Sequence, residues 1–97
     1  MTDISEIKSP FLRKTIEQRG INDDLVSDLL IVERYLRRPE LTDSVVALML
    51  RAAIKDHPLE TEIVGRELKL GRAITEPEIE ELQARREQSA RIALSNS

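Results

Sequence analysis

The chain has no cysteine and no tryptophan, and among its 97 residues one tyrosine and one phenylalanine are the only aromatic side chains. Without cysteine there is no disulfide, no thiolate nucleophile, no iron–sulfur cluster and no Cys-based zinc site. Such a chain suits a reducing cytoplasm. Two aromatic rings leave little to stack against bases or to line a drug-like pocket. Glycine is scarce, and Gly20, Gly65 and Gly71 lack the spacing of a phosphate-binding loop. The longest apolar run, Val45 to Leu50, is far shorter than the roughly 20 residues a bilayer crossing needs. Residues 1–10, with Asp3 and Glu6 and no apolar stretch, do not read as a secretory signal or transit peptide. A soluble protein without membrane contact is the expectation. An excess of basic charge is missing too: 15 Lys and Arg stand against 18 Asp and Glu, for a net charge of −3. A dedicated nucleic-acid binder usually carries a clear basic surplus.

What the chain does have is enough apolar residues, 40%, for one core, so residues 1–97 read as a single domain. The apolar positions recur at helical spacing, and Pro10, Pro39, Pro58 and Pro77 punctuate them. Ser9 with Pro10 reads as an N-cap and first turn, and Gly20 as the stop of that helix. Asn22 is the expected N-cap of a second helix reaching about Arg37, with Ile21 stapled to Val26 and with Leu25, Leu29, Val32 and Leu36 on one face. Thr42 is the expected N-cap of a third, with Leu41 stapled to Val46. This third helix, about 43–56, is apolar on nearly every side and is expected to be central and most buried, with Leu48 in its middle. A fourth runs from about Leu59 to Leu70 and stops at Gly71. Thr75 and Glu78 form a capping box for a fifth, with Ile74 stapled to Ile79 and Pro77 in the first turn. Beyond Leu82 its apolar stripe thins, so 83–97 reads as a projecting helix with a frayed tail at Ser95, Asn96 and Ser97. The fold class is all-α, a compact five-helix bundle.

Candidate chemistry is sparse. His57, the one histidine, lies in a helix-end sequence before Pro58, where a cation interacting with the helix dipole is the simplest reading. A lone His without Cys does not make a transition-metal site. Carboxylate pairs such as Glu60 with Glu67, or Asp24 with Asp28, lack the ligand alternation of a calcium loop and sit on what read as solvated faces. No catalytic set and no cofactor motif emerge, and the chain reads as a non-enzyme without a small-molecule substrate.

Residues Ile63 to Ile74 resemble part of a helix-turn-helix DNA-binding motif, with Gly65 as the small residue that lets two helices cross. The resemblance implies a DNA-binding transcriptional regulator using residues 59–88, with the helix from Glu76 as recognition helix. That end carries Glu76, Glu78, Glu80 and Glu81, which phosphates repel, and Lys69 stands where the motif usually has glycine. The favoured expectation is a small regulatory or assembly protein, of a kind common among virus- and mobile-element-encoded factors, acting by protein–protein binding or as a homo-oligomer. Its candidate contact residues are Arg34, Arg37 and Arg38 at the end of the second helix, and Ile79, Leu82, Arg86 and Ile92 along the last.

Overall fold

The computed structural model describes residues 4–95, with side chains described for 5–92. Its five helices are α1 (Pro10–Arg19), α2 (Asp24–Arg37), α3 (Ser44–Asp56), α4 (Pro58–Leu70) and α5 (Glu76–Ser95). Single turns of 3-10 helix at Ile4–Glu6 and Pro39–Leu41 precede α1 and α3. The frayed tail expected at the C-terminus falls partly on 96 and 97, outside the described residues.

Local chemistry sets most boundaries. Ser9 Oγ accepts from the Leu12 amide, with Pro10 at the first helical position. Gly20 and Gly71 take positive φ, 82° and 73°, where a Cβ would be strained, and each closes its helix by donating its N–H to a carbonyl four residues back. The capping box at α5 forms as the sequence predicts: Glu78 N–H donates to Thr75 Oγ1, while Glu78 Oε1 accepts from the Thr75 amide. Two caps lie one residue later than predicted. Asp23 Oδ1 accepts from the Leu25 amide and Asp43 Oδ1 from the Val46 amide, so Asp23 and Asp43, not Asn22 and Thr42, begin α2 and α3. Thr42 is otherwise engaged, its hydroxyl donating to the Pro39 carbonyl. Ile21 and Leu41 consequently stand one position too far out for the expected staples, and both are exposed.

The packing is built around α2 and α4. Helix α2 contacts α1, α3 and α4, while α4 also receives α1, α3 and α5. One core gathers Ile7, Leu12, Ile16, Val26, Leu29 and Val64 between α1, α2 and α4. A second joins α2 to α3 through Val32, Leu50 and Ala53, with Tyr35 against them. A third holds α5 to α4 through Ile63, Ile74 and Leu82. Helix α3 thus packs on both α2 and α4, but the expectation that it is the most buried helix is overturned. Only Leu50 and Ala53 are buried on it, whereas Leu48 is 64% exposed and Val45 62%. The most deeply buried helix is α2, with Val26, Leu29, Val32 and Glu33 inside. The reason is a choice made by α5: Ile79 and Leu82 draw it onto α4, and among the described residues no helix covers the outside of α3.

Candidate functional site

The outer side of α3 carries Val45, Leu48, Met49 and Ala52, spaced i, i+3, i+4 and i+7, so the four side chains form one stripe. All four are exposed. Charged residues, Arg51 and Lys55, flank the stripe in its second half, and Glu40 precedes it in the turn before α3. The fold can present this stripe because the opposite side of the helix is anchored: Leu50 and Ala53 pack on Val32, and Ala53 O accepts from the His57 amide where α3 ends. His57 adds a cross-link, its Nε2 lying 3.1 Å from Asp28 Oδ2 on α2. The histidine read from sequence as answering the helix dipole thus has a side-chain partner on a neighbouring helix.

Beside the stripe, between α2, the Pro39–Leu41 turn and α3, an apolar cavity of about 360 Å³ is lined by Ile31, Arg34, Tyr35, Leu41, Val46 and Met49. Met49 belongs to both stripe and cavity. A second cavity of about 260 Å³ shares Arg34 and Leu41 and adds Glu6, Ile7, Leu30, Glu33, Arg37 and Arg38. The structure therefore brings the predicted Arg34, Arg37 and Arg38 together around one opening. They are not equivalent. Arg37 donates to Glu33 Oε1 at 3.3 Å and to the Glu6 carbonyl at 2.6 Å, pinning the N-terminal segment to α2. Arg34 and Arg38 make no side-chain hydrogen bond or ion pair among the described residues, so their guanidinium groups are available to an external acceptor.

The residues predicted on α5 separate. Leu82 is 3% exposed and belongs to the chain's own core with Ile63 and Ile74, so it is withdrawn as a contact residue. Ile79 is half-buried against the same cluster. Arg86 is spent in part on Glu62 of α4, at 3.0 Å. Only Ile92 is freely exposed, on the part of α5 that extends beyond α4. Within the helix-turn-helix resemblance, Gly65 does not ease a crossing with α5. A Cβ there would meet Leu36 of α2 at 3.8 Å. The N-terminal end of α5 presents Glu76, Glu80 and Glu81 outward, with Glu78 paired to Arg72.

Two buried carboxylates have roles that the sequence does not announce. Glu33 and Glu67 are each 2% exposed. Glu67 Oε1 accepts from Ser9 Oγ at 2.7 Å and from the Phe11 amide at 2.8 Å, while its Oε2 accepts from the Ile74 amide. Glu33 accepts from the Lys8 and Ser9 amides through its two oxygens. The two carboxylates thus hold the start of α1 against α2 and α4, satisfying amide groups that a helix N-terminus leaves without intrahelical partners. Glu67, predicted on a solvated face, is in fact buried and accepts three hydrogen bonds, as many as Glu33 does. A signal existed: Glu67 lies four residues after Ile63, and Glu33 four after Leu29, so each interrupts an apolar face at helical spacing.

Among the described residues no group of His, Asp or Glu could hold a metal ion, and no helix is long and apolar enough to cross a membrane. No protein-family model, curated protein or solved structure gives a significant match to this chain.

Proposed function

We propose that the chain is a non-catalytic regulatory or assembly protein that works in the cytoplasm by binding another polypeptide along the outer side of α3. The observation that carries this is the stripe of Val45, Leu48, Met49 and Ala52, fully formed and uncovered, continuous through Met49 with an apolar cavity. Isolated apolar residues on a surface mean little, but a contiguous apolar patch rimmed by charge marks an interaction site. Its dimensions fit an amphipathic helix, whose anchors recur at the same i, i+3, i+4, i+7 spacing. Arg34 and Arg38, without side-chain partners among the described residues, give the rim a means of selecting acidic neighbours.

Placing a photo-crosslinking residue at position 48, and as a control at exposed Gln18 of α1, tests this in cells expressing the chain. A light-dependent protein adduct from position 48 and none from position 18 is expected. No adduct at 48, or equal adducts at both, refutes the reading. The DNA-binding reading is checked by a gel shift with random duplex at low salt, where no retardation is expected, given the carboxylates at the start of α5.

A further inference from the structure

We propose that the occupant of the α3 stripe is a second copy of the same chain, its α3 antiparallel to the first across a two-fold axis near Leu48 and Met49. This rests on the reading of α3 as a protein-binding face and names its partner. Three features of the stripe are self-complementary. In size, antiparallel pairing sets Val45 of one copy against the small Ala52 of the other at each end of the seam, and Leu48 against Met49 at its middle, so the bulkiest side chains meet at the axis. In charge, Glu40 lies in the turn before α3, while Arg51 and Lys55 lie toward the end of that helix, and none of the three has an ion-pair partner in its own chain among the described residues. Antiparallel pairing brings Lys55 of each copy to Glu40 of the other, whereas parallel pairing would set Arg51 and Lys55 against themselves. In dipole, two antiparallel helices oppose their macrodipoles favourably. A two-fold axis uses one patch twice, so a single stripe suffices for both subunits.

The rival occupant within this chain, the extended part of α5 from a neighbour, fits less well. Its charges beyond Leu82 are Arg85, Arg86, Glu87 and Arg91, of which Arg85 and Arg86 are already engaged by Glu81 and Glu62 of their own chain, so it offers Arg51, Lys55 and Arg34 no acidic group besides Glu87. The seam covers about two helical turns, a small interface, so association is expected in the range of about 10–100 µM.

Light scattering behind size exclusion, or sedimentation equilibrium, from about 10 µM to about 1 mM tests the proposal on the full chain. The mass is expected to rise with concentration from 11.1 kDa toward twice that value. Leu48→Glu, at a position exposed in the single chain, should remain monomeric throughout with an unchanged circular dichroism spectrum, and Ala52→Glu provides the same test should the first variant misfold. Lys55→Glu should weaken association about tenfold, since two symmetry-related exposed pairs contribute about threefold each. Combining it with Glu40→Lys should restore it. A mass fixed at one chain across the whole range overturns the proposal. So does a dimer that survives Leu48→Glu, or one that disappears when residues 88–97 are removed, which would place the contact on α5. A fixed mass together with an adduct from position 48 to a different protein removes the second copy but keeps the protein-binding reading. A fixed mass with no adduct removes both.

Discussion

Ser9, Glu33 and Glu67 show how much of a small helical fold can hang on a few polar atoms. A buried carboxylate is costly to desolvate and is tolerated only where its oxygens are satisfied. Here both carboxylates are satisfied by the backbone of a helix start, which itself lacks acceptors. Replacing Glu67 with Ala would leave Ser9 Oγ and the Phe11 and Ile74 amides without that acceptor in a dry interior. The expected loss is about 3 kcal/mol or more, at about 1 kcal/mol or above for each abandoned donor. Glu67→Gln should fall between, because one of its two terminal atoms becomes a donor facing donors. Urea denaturation of both variants beside exposed Glu87→Ala, expected to change stability by less than about 0.5 kcal/mol, checks this. Ser9 was legible as an N-cap, whereas the two carboxylates were legible only as anomalies in the apolar spacing of α2 and α4. Apart from Arg37, four residues after Glu33, and the Ile74 amide, seven after Glu67, what satisfies them comes from 24 to 58 residues away in sequence, a distance over which no local pattern reports.

At the scale of elements, the two sides of α3 should respond oppositely to the same change. Leu50→Ala removes a side chain packed on Val32 and Ala53 and is expected to cost about 2–3 kcal/mol. Leu48→Ala, in dilute solution, should cost less than about 1 kcal/mol, since the side chain is already in water. Thermal unfolding at a few micromolar compares them directly. Equal losses would mean that the outer side of α3 is covered in the single chain. The start of α5 carries a pH dependence of known sign. The Arg72 guanidinium, donating to Glu78, and then the Thr75 amide and hydroxyl, hold the Glu78 carboxyl below its ordinary value of 4.5. A carboxylate lowered on folding stabilises above the unfolded value and loses that contribution as pH falls through the folded one. The capping box should therefore persist through neutral pH and open only below 4.5. Carboxyl chemical shifts followed by NMR should show Glu78 titrating below its ordinary value of 4.5, and Arg72→Ala should move its midpoint upward.

For the whole molecule, extents of 47 × 33 × 24 Å describe an elongated body, with the apolar contacts of α5 confined to its first turns and a polar one, Arg86 with Glu62, beyond them. Twenty residues of helix span about 30 Å, and from Glu87 to Ile92 every side chain is exposed. Removing 88–97 should thus lower the melting temperature by less than about 3 °C, since no buried contact among the described residues is lost. A cut after Leu82 is more severe, because it also removes the Arg86–Glu62 contact and leaves Leu82 in the last, fraying turn. Circular dichroism melts of the two truncated chains check this order, and a fall of 10 °C or more for the shorter removal would place distal α5 in the core.

The division between sequence and tertiary structure follows from range. Five helices, their glycine stops, the Ser9 cap and the Thr75–Glu78 box are interactions among residues at most four apart, so the chain states them locally, with errors of a single residue where Asp23 and Asp43 outbid neighbours of similar capping strength. The gathering of Arg34, Arg37 and Arg38 is likewise a property of one helix end. Which side of an apolar helix is covered is different in kind. Helix α3 is apolar on nearly every side, and its sequence offers no preference among them. The preference arises when α5 settles on Ile63 and Ile74 instead, leaving Val45, Leu48 and Met49 outside. Burial is a competition among all elements for a limited set of partners, and only the folded chain decides it.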